Sequence, residues 1–222
     1  MKTVNSHVYR AAVFAAVIVA SGCSGTAPIK YSDLASSSRL TPNTAQDSDR
    51  IPFKYAAPVD WSKYRNIIIE PVTIYQGRDG QFNDMSPDDR RQLADYMQKK
   101  FTEVLASRFA TISAPESSPS LRLKLTLTGA DTTPQVIGTV TKFDLAGGPY
   151  NIVQSIRGGK GLMSGYVHYA VEIQDATSRA LLLAYVAEQY PNAMNIGATL
   201  GSLSAAETGI DKGAEELLKK LE

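Results

Sequence analysis

Residues Leu121-Arg-Leu-Lys-Leu-Thr-Leu-Thr128 alternate apolar and polar without a fault. Side chains of a β-strand point alternately to opposite faces, so this run reads as a strand with one core face and one wet face. A helix cannot use the pattern, because a period of two scatters four leucines around a 3.6-residue turn. The chain is therefore committed to a sheet, and something must cover the leucine face. Two helices are available for that. Ser86-Pro87-Asp88-Asp89 writes a helix start, with Ser as N-cap, Pro at the first position and a carboxylate in the first turn. Leu93, Tyr96, Met97, Phe101, Val104, Leu105 and Phe109 follow at spacings of three and four, one apolar stripe. Ser204-Ala-Ala-Glu207 resembles a capping box, ahead of a second stripe of Ile210, Ala214, Leu217, Leu218 and Leu221.

Further strands read at Asn66–Tyr75, with Pro71 favouring an edge or a bulge, and at Tyr166–Gln174 and Arg179–Tyr190, joined by the turn Asp175-Ala-Thr-Ser178. The predicted fold class is α+β: a small antiparallel sheet of about four strands, in the order β-α-β-insertion-β-β-α, with two main helices packed on one face. This occupies residues 59–222 as one domain. The insertion, 129–164, is longer than the roughly 12–15 residues at which structureless loops become uncommon. It carries two apolar clusters, Val136, Ile137, Val140 and Phe143, then Ile152, Val153 and Ile156. Such clusters are buried on this domain as a flap, or they contact a partner or a membrane surface.

The N-terminus has a different character. Lys2 and Arg10 precede the uncharged run Ala11–Ala20, about half the length that crosses a bilayer as a helix. A basic start, a short apolar centre and the small-residue exit Ala20-Ser21-Gly22 are the parts of a secretory signal peptide, residues 1–22. The chain's single cysteine, Cys23, falls at the cleavage junction as in a bacterial lipobox, although Ala20 stands where Leu is usual. Cys23 is thus the candidate for lipidation by acyl chains such as palmitate; the other reading is ordinary cleavage that leaves a free thiol. Ser24, rather than Asp, follows the cysteine, which favours the periplasmic face of the outer membrane over the inner membrane. Residues 23–58 are rich in Ser, Pro, Thr and Asn and hold no long period, so they read as a lipidated N-terminus and flexible tether. Within it Tyr31-Ser-Asp-Leu34 and Ile51-Pro-Phe53-Lys-Tyr55 are apolar islands that could dock on the domain.

Cys23, Tyr31-Ser-Asp-Leu34, Ser38-Arg-Leu40-Thr-Pro42, Asp60-Trp-Ser-Lys-Tyr64, Glu70-Pro-Val72, Ser86-Pro87 and Asp175-x-Thr-x-x-Ala-Leu181 occur in that order. The ordered set resembles the bacterial lipoprotein family catalogued as domain of unknown function 3313. That resemblance implies an exported, lipid-anchored envelope protein and implies no particular activity. More loosely, the element order is similar to small periplasmic α/β domains, an analogy of fold only.

Chemistry is sparse. Lys plus Arg number 23 against 22 acidic residues, a balance with no electrostatic footprint for nucleic acid. One cysteine excludes an intramolecular disulfide and a Cys-based zinc site. Arg157-Gly-Gly-Lys-Gly161 lacks the first glycine and the final hydroxyl of a phosphate loop. Asp79–Arg90 lacks the glycine and the terminal carboxylate of a calcium loop. His168 reads as a strand-surface histidine opposite Val167 and Tyr169, and the pairs Asp88-Asp89 and Glu215-Glu216 as helix-turn carboxylates that favour the dipole or simply meet water. No catalytic, cofactor-binding or metal residues are nominated, and no cofactor. The expected function is non-enzymatic: an envelope adaptor or accessory subunit held to the membrane by Cys23, with an envelope protein as partner. The alternative is a periplasmic binding module for a small or lipidic ligand, with 129–164 as lid.

Overall fold

The computed structural model describes residues 27–115, 118–131, 153, 165–192 and 202–222. In chain order the elements are β1 (Thr41–Pro42), β2 (Phe53–Ala56), β3 (Asn66–Ile69), β4 (Thr73–Ile74), α1 (Pro87–Leu105), β5 (Ala110–Thr111), β6 (Ser120–Asp131), β7 (Tyr166–Asp175), β8 (Leu181–Gln189) and α2 (Ser204–Lys220). One sheet runs β1-β2-β8-β7-β6-β3-β5, with β4 also paired to β6. The α+β class holds, but the expected small antiparallel sheet of about four strands does not: the sheet has eight strands and is mixed.

Three local causes enlarge it. Pro71 cannot donate to a ladder, so the run 66–75 splits into β3 and β4, each parallel to β6. The break is bridged by Glu70 N–H to Leu123 O at 2.9 Å and resumes with Tyr75 N–H to Leu127 O at 2.9 Å. After α1 crosses back over the sheet, the short β5 runs parallel to β3. Finally, the segment expected to be a tether supplies β1 and β2, and β2 pairs antiparallel with β8 from Phe53↔Val186 to Ala56↔Leu183.

The leucine face is as the alternation predicts. Leu121, Leu123, Leu125 and Leu127 are fully buried beneath the helices, joined by Val167, Tyr169, Val171 and Ile173 of β7. Ser86 caps α1, its Oγ accepting from Asp89 N–H at 3.1 Å, and Leu93, Ala94, Met97, Phe101 and Leu105 face inward. Phe101 meets Tyr169 edge-on at 5.9 Å. The second helix departs from expectation at its start: the N-cap is Leu203, Ser204 is already helical, and no side chain caps it. α1 and α2 pack together, tied by Tyr96 Oη donating to Asp211 Oδ1 at 2.9 Å. That bond and burial push the Tyr96 phenol up to about 12, burial being the larger cause. At the β7–β8 hairpin Asp175 Oδ1 accepts from the N–H groups of Thr177 and Ser178, at 3.1 and 2.7 Å.

The opposite face is not wet. Thr126, Thr128, His168 and Glu172 are all buried there. The cover includes residues 27–40, a strap that buries Tyr31, Leu34 and Leu40. Once these residues leave water the strap is a layer of the domain, and its lack of period reflects a chain that crosses strands rather than following one.

Candidate functional site

The most organised polar group among the described residues lies between the strap and the sheet, centred on Gln81. Its backbone joins β6, with Gln81 N–H donating to Thr128 O at 2.9 Å and Ala130 N–H donating to Gln81 O at 3.2 Å. This approach needs Gly129, where a Cβ would stand 2.5 Å from the Gln81 carbonyl oxygen. The side chain then reaches both ways. Its Nε2 donates to Ala27 O at 3.1 Å, and its Oε1 accepts from Tyr31 Oη at 2.5 Å. The same oxygen lies 3.1 Å from His168 Nδ1; an amide oxygen only accepts, so that nitrogen carries the proton. His168 is fully buried, not on a strand surface as expected; its ring stacks on Tyr166 at 4.5 Å, with Nε2 at 3.9 Å from Glu188 Oε2.

A second tie stands beside it. Glu172 accepts from Ser36 N–H at 2.7 Å, and its other oxygen lies 3.7 Å from Lys124 Nζ. A third joins Tyr75 and Asp79 to the strap. Asp79 accepts from Tyr75 Oη at 2.6 Å and from Ser32 N–H at 2.9 Å, and these donors hold its carboxyl below the ordinary 3.8. Tyr31 packs on Tyr75 at 5.3 Å, and burial raises its phenol well above 10. Tyr31 adopts φ 34, a left-handed conformation that a bulky residue holds only when its surroundings impose it. The arrangement is a lock on the strap: it presents donors, acceptors and packed rings, with no nucleophile set against a base.

Two further features flank the lock. A cleft of about 180 Å³ is lined by Asp33, Leu34, Thr73, Tyr75, Lys124 and Thr126 among others, smaller than the ~300–1,000 Å³ usual for small-molecule sites. On the helix side, Arg50 Nη1 binds Glu216 Oε1 at 2.5 Å and Gln189 Nε2 donates to Glu216 Oε2 at 2.6 Å. Glu216, expected to meet water, therefore ties α2 to the N-terminal segment, while Asp88 remains exposed and pairs with Arg91. Lys220 Nζ adds a bond to Asp47 Oδ2 at 3.0 Å.

Cys23 lies outside the described residues. So do Val136, Ile137, Val140, Phe143, Ile152 and Ile156, and the phosphate-loop lookalike 157–161. Val153, described alone from those clusters, is 45% exposed. Among the described residues no group of three His, Cys, Asp or Glu is placed to hold a metal, and no helix is long and apolar enough to cross a membrane. Sequence reasoning missed the lock. One signal was available: Glu172 interrupts a strand whose neighbours are apolar or aromatic, and a buried carboxylate needs a partner on its own face.

On a surface edge of the same face, Arg39 lies over the Tyr55 ring at 4.4 Å and donates to its hydroxyl at 2.7 Å. Lys30 lies over Phe53 at 5.8 Å. Lys30, Arg39 and Ile29 are exposed, Ile29 at 39%.

Among solved structures, the PelC dodecamer from Paraburkholderia phytofirmans is similar at 10% identity, over 72% of this chain and 92% of that one, with a TM-score of 0.37. A hypothetical protein from Chlamydia trachomatis matches at 8% identity over 71% and 94%, TM-score 0.35. A protein from Xanthomonas campestris matches at 10% over 81% and 88%, TM-score 0.34. At these TM-scores the likenesses carry neither fold nor function across. No curated protein sequence matches the chain. The model of one family, described as protein of unknown function (DUF3313), matches residues 30–217, and the chain belongs to that family.

Proposed function

With membership of that family as the premise, we propose that the chain is a lipid-anchored protein of the bacterial cell envelope. It faces the periplasm at the outer membrane and acts without catalysis, as an adaptor or accessory subunit. The observation that carries this reading is the junction Ala20-Ser21-Gly22-Cys23, placed behind a basic start and a short apolar run, with the chain's only thiol at the cleavage point. Several buried acyl chains, at roughly 0.8 kcal/mol per methylene, would hold such a protein on the membrane for its lifetime.

The test is metabolic labelling with a palmitate analogue in cells expressing wild type or Cys23→Ser. Wild type should carry label and sediment with outer membranes; the variant should carry none and appear in the soluble periplasmic fraction. Unlabelled wild type, or a variant that stays in membranes, refutes the anchor. The adaptor role is read by photo-crosslinking from Phe143 and Ile152 in intact cells: a discrete crosslinked envelope protein supports it, and none from either position counts against it.

A further inference from the structure

We infer that the surface formed by exposed Ile29, Lys30 and Arg39 with half-buried Phe53 and Tyr55 rests on anionic phospholipid headgroups. The inference depends on the lipid anchor proposed at Cys23. A 35-residue flexible tether would leave the domain free to tumble roughly 30 Å from its anchor. The strap removes most of that freedom. Its first packed residues are Pro28 and Tyr31, so only Ser24, Gly25 and Thr26 separate Cys23 from the described domain. Even fully extended, the four steps from Cys23 to Ala27 span about 14 Å. The surface around the start of the strap is thereby held at the bilayer, within little more than the roughly 8–10 Å screening distance of physiological salt.

What the anchor brings to the bilayer has the composition of an interfacial contact. Lys30 and Arg39 are exposed cations lying against the rings of Phe53 and Tyr55. Long cationic side chains that cover apolar surface while keeping their charge in water, beside amphipathic rings, suit the headgroup layer. Phe53 and Tyr55 share one face of β2, two residues apart, and β1 beyond them is the sheet edge. The acid nearest in the strap, Asp33, instead lines the cleft with Lys124. Each such cation strengthens attraction to an anionic surface about fivefold. The helix layer, including Lys99, then faces away from the membrane.

The acylated full chain is reconstituted in vesicles of phosphatidylethanolamine and phosphatidylglycerol. A single fluorophore is placed through Ser38→Cys on the strap or Lys99→Cys on α1, both exposed positions. Acylation of Cys23 leaves only the introduced thiol to react. Energy transfer to a headgroup acceptor should be several-fold stronger from position 38 than from position 99. In the Ser38→Cys protein, Lys30→Glu with Arg39→Glu removes two ring contacts and so lowers the melting temperature somewhat, but in protein that circular dichroism shows still folded it should lower that transfer toward the position-99 value. Equal transfer from the two positions, in protein that is acylated and vesicle-bound, overturns the inference and leaves the anchor standing. A wild-type chain whose Cys23 takes up the fluorophore and stays off the vesicles overturns the anchor, and the inference with it.

Discussion

Tyr31→Ala separates a strap from a tether more sharply than any other single substitution. Tyr31 is 1% exposed, packs on Tyr75 and donates its hydroxyl to Gln81 at 2.5 Å. Truncating a buried aromatic costs about 3–5 kcal/mol, of which the ring pair contributes about 0.5–1.5. Alanine keeps a Cβ, so the positive φ stays strained and no relief offsets the loss. Against a domain stability of about 5–15 kcal/mol the change is large, and at roughly 2–4 °C per kcal/mol it lowers Tm by about 6–20 °C. Tyr31→Phe keeps the ring and should cost only about 1 kcal/mol for the hydroxyl. Urea unfolding of wild type and both variants, with Tm from calorimetry, reads all three. A Tyr31→Ala protein within about 0.5 kcal/mol of wild type behaves like an exposed-site change, and would falsify the packed strap.

Leu125→Asp should unfold the domain, since it places a carboxylate on the fully buried helix-facing side of β6; Lys124→Asp should cost less but not nothing, because it sets a second carboxylate against Glu172. Circular dichroism of the two proteins decides, and equal effects contradict the assignment of faces. Gly209→Ala, which would gain about 1 kcal/mol in an exposed helix, should instead destabilise, as its Cβ would meet the Gln189 carbonyl oxygen and Val167 Cγ1, each at 2.9 Å; a raised Tm contradicts the close seat of α2. Ser178 N–H, with the hydroxyls of Ser178 and Tyr64, holds the Asp175 carboxyl below its ordinary 3.8. The unfolded chain therefore binds that proton more readily, and stability falls as pH drops from about 5 through the depressed folded value. Urea midpoints measured across that range should slope less for Asp175→Asn than for wild type.

The parts legible in the sequence are those where one element repeats one period. β6 alternates over its leucines, α1 carries both a stripe and Ser86-Pro87, and the β7–β8 hairpin brackets a turn around Asp175; each is where the pattern places it. The strap escaped because Tyr31, Leu34, Leu40 and Ile51 are buried one at a time by strands far away in sequence, which no local window registers. β1, β4 and β5 are two-residue strands and lie below the length at which alternation means anything. The alternation puts His168 on the correct face but not at the correct depth, because depth there depends on what crosses above it. Gln81 had no signal at all: its partners are 50 and 87 residues away, and its role rests on Gly129 admitting the backbone. The apparent capping box at Ser204 is the converse case, a motif whose helix begins one residue too early to use it.

The central claim is that the segment from residue 27 to 56 is packed into the domain, as strap and as edge strands, and amide hydrogen exchange measures this directly. The account predicts slow exchange for Ser36 N–H, bound to Glu172, and for Asn43 N–H, bound to Pro52 O at 2.9 Å. It also predicts that the β2 amides paired with β8 exchange as slowly as the β8 amides themselves, through the same opening. Exchange of the whole segment at free-chain rates, while β6 and β7 stay protected, would contradict it.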